Sequence, residues 1–201
     1  GQHSFISIRG SGQGHGESAQ KNITTEYLPT GAMVLEVDNA AGLKAGDSII
    51  LVRQPNQKWI DALQMAQFGW KPDKYKAAFE RTIVKITGNQ VTLKEPVVDP
   101  VQAQYGGGYI YKAKRNGRIN NCGIENMQLE SAYKTDTSED HGWDAVALIR
   151  AENCWVKQVT AKYFGYACVS IESQSVYNMV VDCAMLDPKS ITTGGRKYSF
   201  V

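Results

Sequence analysis

The stretch between residues 140 and 197 concentrates side chains that can act on a sugar chain. Asp140, His141 and Asp144 supply carboxylates and an imidazole, and Lys189 and Arg196 supply cations. A lyase needs a base that removes a proton beside a uronate carboxylate and a cation that stabilises the enolate. In that chemistry Lys189 or Arg196 is the cation, and His141 or Tyr166 handles the proton. The catalytic candidates are therefore Asp140, His141, Asp144, Tyr166, Lys189 and Arg196.

The same stretch offers groups that bind sugars without reacting. Trp143 and Tyr163 present flat apolar faces for sugar rings, and Lys162 and Lys197 present cations. The substrate-binding candidates are Trp143, Lys162, Tyr163 and Lys197.

A hydrolase needs two carboxylates across the bond, and Asp140 paired with Asp144 or Asp187 would serve. Each candidate also has a structural interpretation. Asp140 and Asp144 can end turns, and a lone histidine such as His141 is more often structural or solvated than catalytic. The residues alone do not separate lyase from hydrolase.

These candidates lie on a repeat that must position them. Residues 144–150 align with residues 166–172, and the segments 124–127, 156–159 and 176–179 share the form apolar-x-x-apolar. A period of about 20 to 22 residues built from short β-rich segments is typical of a β-solenoid. We expect residues 145–150, 167–172 and 197–201 to stack as parallel neighbours in one sheet.

Two pairs of identical residues support this stacking. Asn121-Cys122 and Asn153-Cys154 precede equivalent strands, so their side chains should lie above one another on neighbouring coils. The four cysteines show no CxxC pair, and we interpret them as buried free thiols. A Cys122–Cys154 disulfide is the alternative, but neighbouring strands suit its geometry poorly.

Loop lengths predict where a site lies. The loops at residues 131–143 and 184–196 are longer than the turn between them on the intervening coil, and all three should leave one corner. Two long loops that flank a short turn would create a trough. We therefore expect Trp143, Asp144, Tyr166 and Arg196 to border one concave surface.

Residues 28–116 do not show the repeat pattern and look like an inserted module. Strand-like runs, including a hairpin at Gly88-Asn89, indicate a small β-barrel or sandwich. Helical spacing over residues 59–68 and 73–79 adds one or two short helices. Trp59, Trp70 and Tyr75 are either the small core of this module or a platform for sugar rings.

The opening at residues 7–12 and the stretch at 140–183 resemble the pectin-lyase-fold superfamily of polysaccharide lyases and glycoside hydrolases. The resemblance implies an all-β fold, a right-handed parallel β-helix (solenoid). Residues 1–27 would be its first coil, 28–116 the inserted module, and 117–201 further rungs, truncated at the C-terminal end. Proteins of this superfamily also serve as tailspikes and adhesins, so fold alone does not fix activity.

The implied function is action on a polysaccharide by a secreted, periplasmic or cell-surface protein, with β-elimination at uronate residues as the leading reaction. The alternatives are a glycoside hydrolase and a non-catalytic adhesin, tailspike or structural protein. Calcium is the candidate cofactor, but no ligand is assigned. A well-known pectate lyase motif, Trp-x-Asp-His, is absent because Asp140-His141 precedes Trp143. No catalytic residue is therefore carried over.

Composition excludes several partners. The 22 basic and 20 acidic residues give a net charge of +2 without a basic block, so a nucleic-acid footprint is missing. No apolar run is long enough for a membrane span. We expect a second chain or a missing C-terminal part to complete the β-helix.

Overall fold

β-Strands dominate the computed structural model, which describes residues 2–12, 19–113 and 117–201. Within these residues there is one α-helix, α1 (Gln57–Ala62), and three short 3-10 helices at Ala66–Phe68, Pro72–Lys74 and Ala103–Tyr105. In chain order the strands are β1 (Ile6–Arg9), β2 (Lys21–Asn22), β3 (Tyr27–Leu28), β4 (Val34–Glu36), β5 (Ser48–Arg53), β6 (Ala77–Thr87), β7 (Gln90–Leu93), β8 (Val101–Gln102), β9 (Gly108–Lys112), β10 (Ile119–Asn120), β11 (Gly123–Glu130), β12 (Asp144–Ile149), β13 (Ala151–Glu152), β14 (Trp155–Lys162), β15 (Ala167–Ile171), β16 (Met179–Val181) and β17 (Ala184–Leu186).

The chain divides into two units. The first unit contains residues 1–14 and 116–201, and the second contains residues 15–115. Strands β2 and β3 pair with β9 and β8 of the second unit. The boundary that we predicted at residues 27 and 28 is therefore too late in the sequence, and part of the predicted first coil belongs to the module. The sequence also predicts a glycine-rich turn at residues 10–16, and the part of it from residue 13 onward lies outside the described residues.

Parallel pairing organises the first unit. Sheet I has the order β1-β12-β15, sheet II contains β11, β14, β16 and β17, and sheet III pairs β10 with β13. All these pairs are parallel, and isolated parallel bridges extend sheet III at Val176 and sheet I at Phe200. From β10 onward the chain visits sheets III, II and I in that fixed order, and each visit adds a strand beside the previous one.

The predicted parallel stacking in sheet I is confirmed, but its register is shifted. Asp144 lies opposite Ala167, not Tyr166, and Val146 lies opposite Val169. The third segment joins through the Val169–Phe200 bridge and a hydrogen bond from the backbone N–H of Val201 to the carbonyl of Val169. The coil is therefore one residue longer than the sequence alignment gave.

In sheet II the first predicted pair is confirmed and the second is wrong. Ile124 lies opposite Val156, as expected. Val156 then lies opposite Val180, whereas Val176 bridges to Glu152 in sheet III. The segment 176–179 is therefore not the equivalent of 156–159.

Left-handed backbone residues recur at equivalent positions of successive coils. Asn126 (φ 56°) and Gln158 (φ 53°) interrupt β11 and β14, and Asp182 (φ 51°) separates β16 from β17. Asn121 (φ 54°) and Asn153 (φ 51°) have the same conformation where the chain passes from sheet III to sheet II. Asn and Asp tolerate this conformation better than most residues do. The repeated asparagines thus turn the backbone between two sheets, a role that their predicted stacking did not include.

Apolar side chains from all three sheets fill the first unit. Its core includes Val146, Leu148, Val156, Val159 and Phe164, all less than 1% exposed. Close packing of this kind stabilises the stack through dispersion and burial of apolar surface.

All four cysteines carry free thiols, as predicted. Cys154 and Cys168 are buried, and Cys122 and Cys183 are partly buried.

A curled antiparallel sheet forms most of the second unit. Its strand order is β2-β9-β5-β6-β7-β4, and an antiparallel bridge between Ile23 and Val37 joins its two ends. Ile49, Leu51 and Ile110 lie in the core that the sheet encloses. The predicted hairpin is confirmed, because Gly88-Asn89 connects the paired strands β6 and β7.

The helical predictions for this unit are right in part. α1 begins after Asn56, whose side-chain oxygen accepts a hydrogen bond from the N–H of Trp59 at 3.2 Å. The predicted helix at 73–79 is wrong, because a short 3-10 helix is followed by β6, whose first part, residues 77–82, pairs with β5. No helix in the described ranges is long and apolar enough to cross a membrane.

Candidate functional site

Two long loops leave one corner of the first unit. In sheet II, Glu130 at the end of β11 lies opposite Lys162 at the end of β14, and Lys162 lies opposite Leu186 at the end of β17. The loops that follow β11 and β17 therefore flank the short turn after β14. We call this region the corner, meaning residues 130–143, 162–166 and 187–198.

The two loops bond directly to each other. Glu139 forms a two-bond ion pair with Arg196, in which Nη2 donates to Oε2 at 3.1 Å and Nε donates to Oε1. The hydroxyl of Ser190 also donates to Oε1 of Glu139, at 2.6 Å. The predicted open trough between the loops is therefore bridged, because their opposite charges draw them together.

His141 also joins the two loops. Its Nε2 lies 2.9 Å from the carbonyl oxygens of both Ser138 and Lys189, so this nitrogen carries the proton and donates. Its Nδ1 lies 2.9 Å from the hydroxyl of Ser131 and accepts from it. The side chain is buried. Both nitrogens are occupied, which is the arrangement of a structural histidine and not of the proton handler that we predicted.

Lys189 is held between carboxylates and aromatic rings. Its Nζ lies 3.0 Å from Asp136 and 2.9 Å from Asp187, and these hydrogen bonds raise the pKa of Lys189. The same atom lies 5.1 Å from the ring centre of Tyr133 and 5.7 Å from that of Tyr163. The lysine charge is therefore balanced locally, and Lys189 fixes the two tyrosine rings by cation–π contact.

An open groove lies beside these two rings. Tyr133 and Tyr163 contact each other with ring centres 5.1 Å apart, and together with Glu130, Ser131 and Ala132 they line a groove of about 430 Å³. Lys162, one of the predicted binding residues, lies 3.5 Å from Glu130. We call this the Tyr133–Tyr163 groove. It presents aromatic surface with charged groups at its border.

A second aromatic cluster lies at the corner. The rings of Trp143 and Tyr166 are parallel, with an angle of 1° and centres 5.9 Å apart, and Tyr198 meets Tyr166 edge-on at 5.7 Å. The guanidinium carbon of Arg196 lies 5.7 Å from the Trp143 ring. A Cβ on Gly165 would lie 2.7 Å from that ring, so glycine is needed there.

Asp144 lies beside this cluster and is buried. Its Oδ2 accepts from the hydroxyl of Ser4 at 3.1 Å, and within the described residues its buried Oδ1 has no hydrogen-bond partner. Burial raises the pKa of Asp144, and the Ser4 hydrogen bond opposes that effect. The pKa of Tyr166 is also raised, first by loss of solvent and then by Asp144.

The structure thus brings most of the predicted residues together. Trp143, Tyr166 and Arg196 lie at the corner, and Asp144 directly follows Trp143. The concave surface that these four residues should border stays a prediction. Asp140 is exposed in the first loop. The Nζ of Lys197 donates to Thr192 at 3.1 Å, in the second loop.

Glu139 and Tyr198 were not singled out in the sequence, because nothing in a loop sequence marks a partner in a distant loop. For the candidate calcium ion, the described part of the chain contains no group of three or more His, Cys, Asp or Glu residues placed to hold a metal.

No protein-family model matches the chain. No curated protein matches it either. Among solved structures it is similar to the tailspike protein gp49 from Pseudomonas phage LKA1, with a TM-score of 0.42 and 18% identity over 83% of this chain and 24% of that one. It is also similar to the gp54 tailspike of Acinetobacter baumannii bacteriophage AP22, solved in complex with A. baumannii capsular saccharide (TM-score 0.42, 12% identity, 94% and 33% coverage).

A third similar structure is the tailspike gp61 of Pseudomonas phage phi297 (TM-score 0.39, 15% identity, 84% and 31% coverage). The chain spans about a quarter to a third of the length of these three chains. Likeness at these scores assigns neither an activity nor a ligand to the chain.

Proposed function

We propose that the first unit is part of a secreted or cell-surface right-handed parallel β-helix, and that its corner binds a polysaccharide. The repeated order of sheets III, II and I supports the fold, since a β-helix adds one parallel strand to each sheet in every coil. The long loops at one corner give such a stack a side on which a chain ligand can lie.

The observation that carries the binding proposal is the Tyr133–Tyr163 groove. Its rings are held in place by Lys189, and Tyr133 is 39% exposed. Sugar rings pack their C–H faces on aromatic side chains, and their hydroxyls bond to charged groups at the border. Glu130 and Lys162 supply such groups at this groove.

The geometry favours binding over β-elimination. The cations proposed to stabilise an enolate are each paired with carboxylates, Lys189 with Asp136 and Asp187, and Arg196 with Glu139. The raised pKa of Tyr166 keeps its hydroxyl protonated at neutral pH, so a tyrosinate base is disfavoured.

Hydrolysis is the second candidate because of Asp144. A glycoside hydrolase needs a carboxyl group that keeps its proton near neutral pH, and burial raises the pKa of such a group. Asp144 has this environment and lies beside Tyr166. Its catalytic role would require substrate to reach the buried carboxyl.

A panel of polysaccharides separates these functions. The full chain is incubated with neutral and uronate polysaccharides, and binding, reducing ends and ultraviolet absorbance of unsaturated products are followed together. We expect binding without new absorbance. Reducing ends without absorbance, lost in Asp144→Asn, would assign hydrolysis, and rising absorbance would show β-elimination. Absence of binding to every polysaccharide in the panel would contradict the proposal.

A further inference from the structure

A long connection in the second unit exceeds what its topology needs. β5 and β6 are antiparallel neighbours, and a hairpin joins such strands with about two to five residues. Here residues 54–76 intervene, and they form α1 and two short 3-10 helices. Connecting segments that a rigid scaffold positions often carry binding residues.

Three aromatic residues of this connection stack on one another. The rings of Trp70 and Tyr75 lie 3.9 Å apart with an angle of 15°, and those of Trp59 and Trp70 lie 6.3 Å apart. All three are partly exposed, whereas Ile60 is the buried residue of α1. None of the three rings belongs to a core cluster of the described residues. Of the two interpretations that the sequence allowed, the structure therefore favours a surface platform.

Trp59 also lines a cavity of about 160 Å³, together with Arg53, Asp99 and Tyr105. The Arg53 guanidinium lies 4.5 Å from the Trp59 ring centre, and its Nε donates to Asp99 at 2.5 Å. Its Nη1 is buried and has no hydrogen-bond partner within the described residues. Arg53 therefore presents its guanidinium group at the wall of the cavity, beside the Trp59 ring.

The cavity shares one lining residue with a wider groove. Gln102 borders both the cavity and a groove of about 500 Å³, which Glu26, Tyr27 and Gln104 also line. Tyr27 is 57% exposed and offers a second aromatic surface. The cavity and the groove thus each offer an aromatic side chain, Trp59 in the first and Tyr27 in the second.

We propose that this cavity and groove form a binding site for an uncharged oligosaccharide. Asp99 neutralises the charge of Arg53, so the cavity does not attract an anion, and Glu26 would repel an acidic chain. The ring faces accept the C–H surface of sugars, and Arg53, Asp99 and Gln102 bond to hydroxyls. This site is separate from the corner of the first unit.

Calorimetric titration of the full chain tests this proposal, with cellohexaose, xylohexaose and mannohexaose as neutral probes and hexagalacturonate as the acidic one. We expect at least one neutral hexasaccharide to bind more tightly than hexagalacturonate. Trp59→Ala should weaken that binding at least tenfold. Phe68→Ala is the matched control, because Phe68 lies on the same connection, is 68% exposed and lines neither the cavity nor the groove.

A second variant separates loss of binding from loss of folding. Gln102→Ala removes a polar side chain that lines both the cavity and the groove, and it should weaken the same binding with an unchanged circular dichroism spectrum. Tyr133→Ala, in the first unit, should leave this binding unchanged. The proposal is overturned if no neutral hexasaccharide binds, if hexagalacturonate binds more tightly, or if Trp59→Ala and Gln102→Ala, both folded, bind like the unaltered chain.

Discussion

Glu139 and Arg196 form a two-bond ion pair that joins two loops of the corner which are distant in the sequence. Hydrogen bonds from Arg196 and Ser190 lower the pKa of Glu139 to about 2. A carboxyl whose folded-state pKa is lowered stabilises the folded state above its ordinary pKa of 4.5, and this contribution disappears as the pH falls towards about 2.

We therefore expect Glu139→Gln to melt below the unaltered chain at pH 7 and the two to converge as the pH falls from about 4.5 to about 2. Melting temperatures measured across this range test it. Glu172→Gln, which changes an exposed carboxylate of the same unit in the same way, is the control. A gap that stays constant with pH would contradict the role of Glu139.

His141 should matter for stability. Replacing it with Ala removes hydrogen bonds to Ser131, Ser138 and Lys189 and leaves buried groups unpaired, so the free energy of unfolding should fall by about 2 kcal/mol. Chemical denaturation measures this. His3→Ala, at an exposed histidine of the same unit, should have little effect. Unchanged stability in His141→Ala would show that the connection between the loops does not depend on this side chain.

Asp144→Asn tests the buried carboxyl. Because burial raises its pKa, this group favours the folded state most below its ordinary pKa of 3.8, and that contribution is lost as the pH rises through the raised value. At pH 7 the melting temperature of Asp144→Asn should therefore equal or exceed that of the unaltered chain. In acid the difference between the two melting temperatures should be smaller. A clearly lower melting temperature at pH 7 would mean that the charged carboxylate is structurally required.

Cys168 should resist alkylation in the folded chain. Burial raises the pKa of its thiol to about 12, so almost no thiolate is present at pH 8. Mass spectrometry after brief iodoacetamide treatment should find Cys122 modified and Cys168 unmodified, and all four cysteines modified after unfolding. Rapid native labelling of Cys168 would contradict the packing of this core.

The sequence predicted the parallel stacking of sheet I but not its register. Each residue of β12 is buried, so the strand lacks the alternation of apolar and polar residues that fixes register. If the partner strand is shifted by one residue, β12 still faces mostly apolar residues. The sequence therefore paired Asp144 with Tyr166, whereas the structure pairs it with Ala167.

The wrong alignment of residues 176–179 with sheet II has a similar origin. Val156 and Val159 flank a left-handed residue, Gln158, and the segment at 180–183 repeats that arrangement around Asp182. Residues 176–179 have the same apolar-x-x-apolar form, with a polar residue at the same place. The pattern occurs twice within one coil, and local sequence does not decide which copy pairs with Val156.

For the site, loop lengths predicted the corner correctly because they follow from the coil geometry. The bridging of the trough was not predictable, since pairing of Glu139 with Arg196 depends on how two separate loops fold. The sequence left both a catalytic and a structural role open for His141, because its partners include a backbone carbonyl of the other loop and that contact is not visible in the local sequence.

The central proposal is tested most directly by Tyr133→Ala made in the Trp59→Ala chain, where the binding proposed for the second unit is weakened. Its affinity is measured for the polysaccharide that the Trp59→Ala chain binds best. Tyr177→Ala in the same chain is the matched control, because it removes an exposed tyrosine of the same unit that does not line the groove. We predict that adding Tyr133→Ala weakens binding about tenfold, a loss of about 1.4 kcal/mol, and that adding Tyr177→Ala leaves binding unchanged. Equal affinity in both variants, with both folded, would contradict a binding site at the Tyr133–Tyr163 groove.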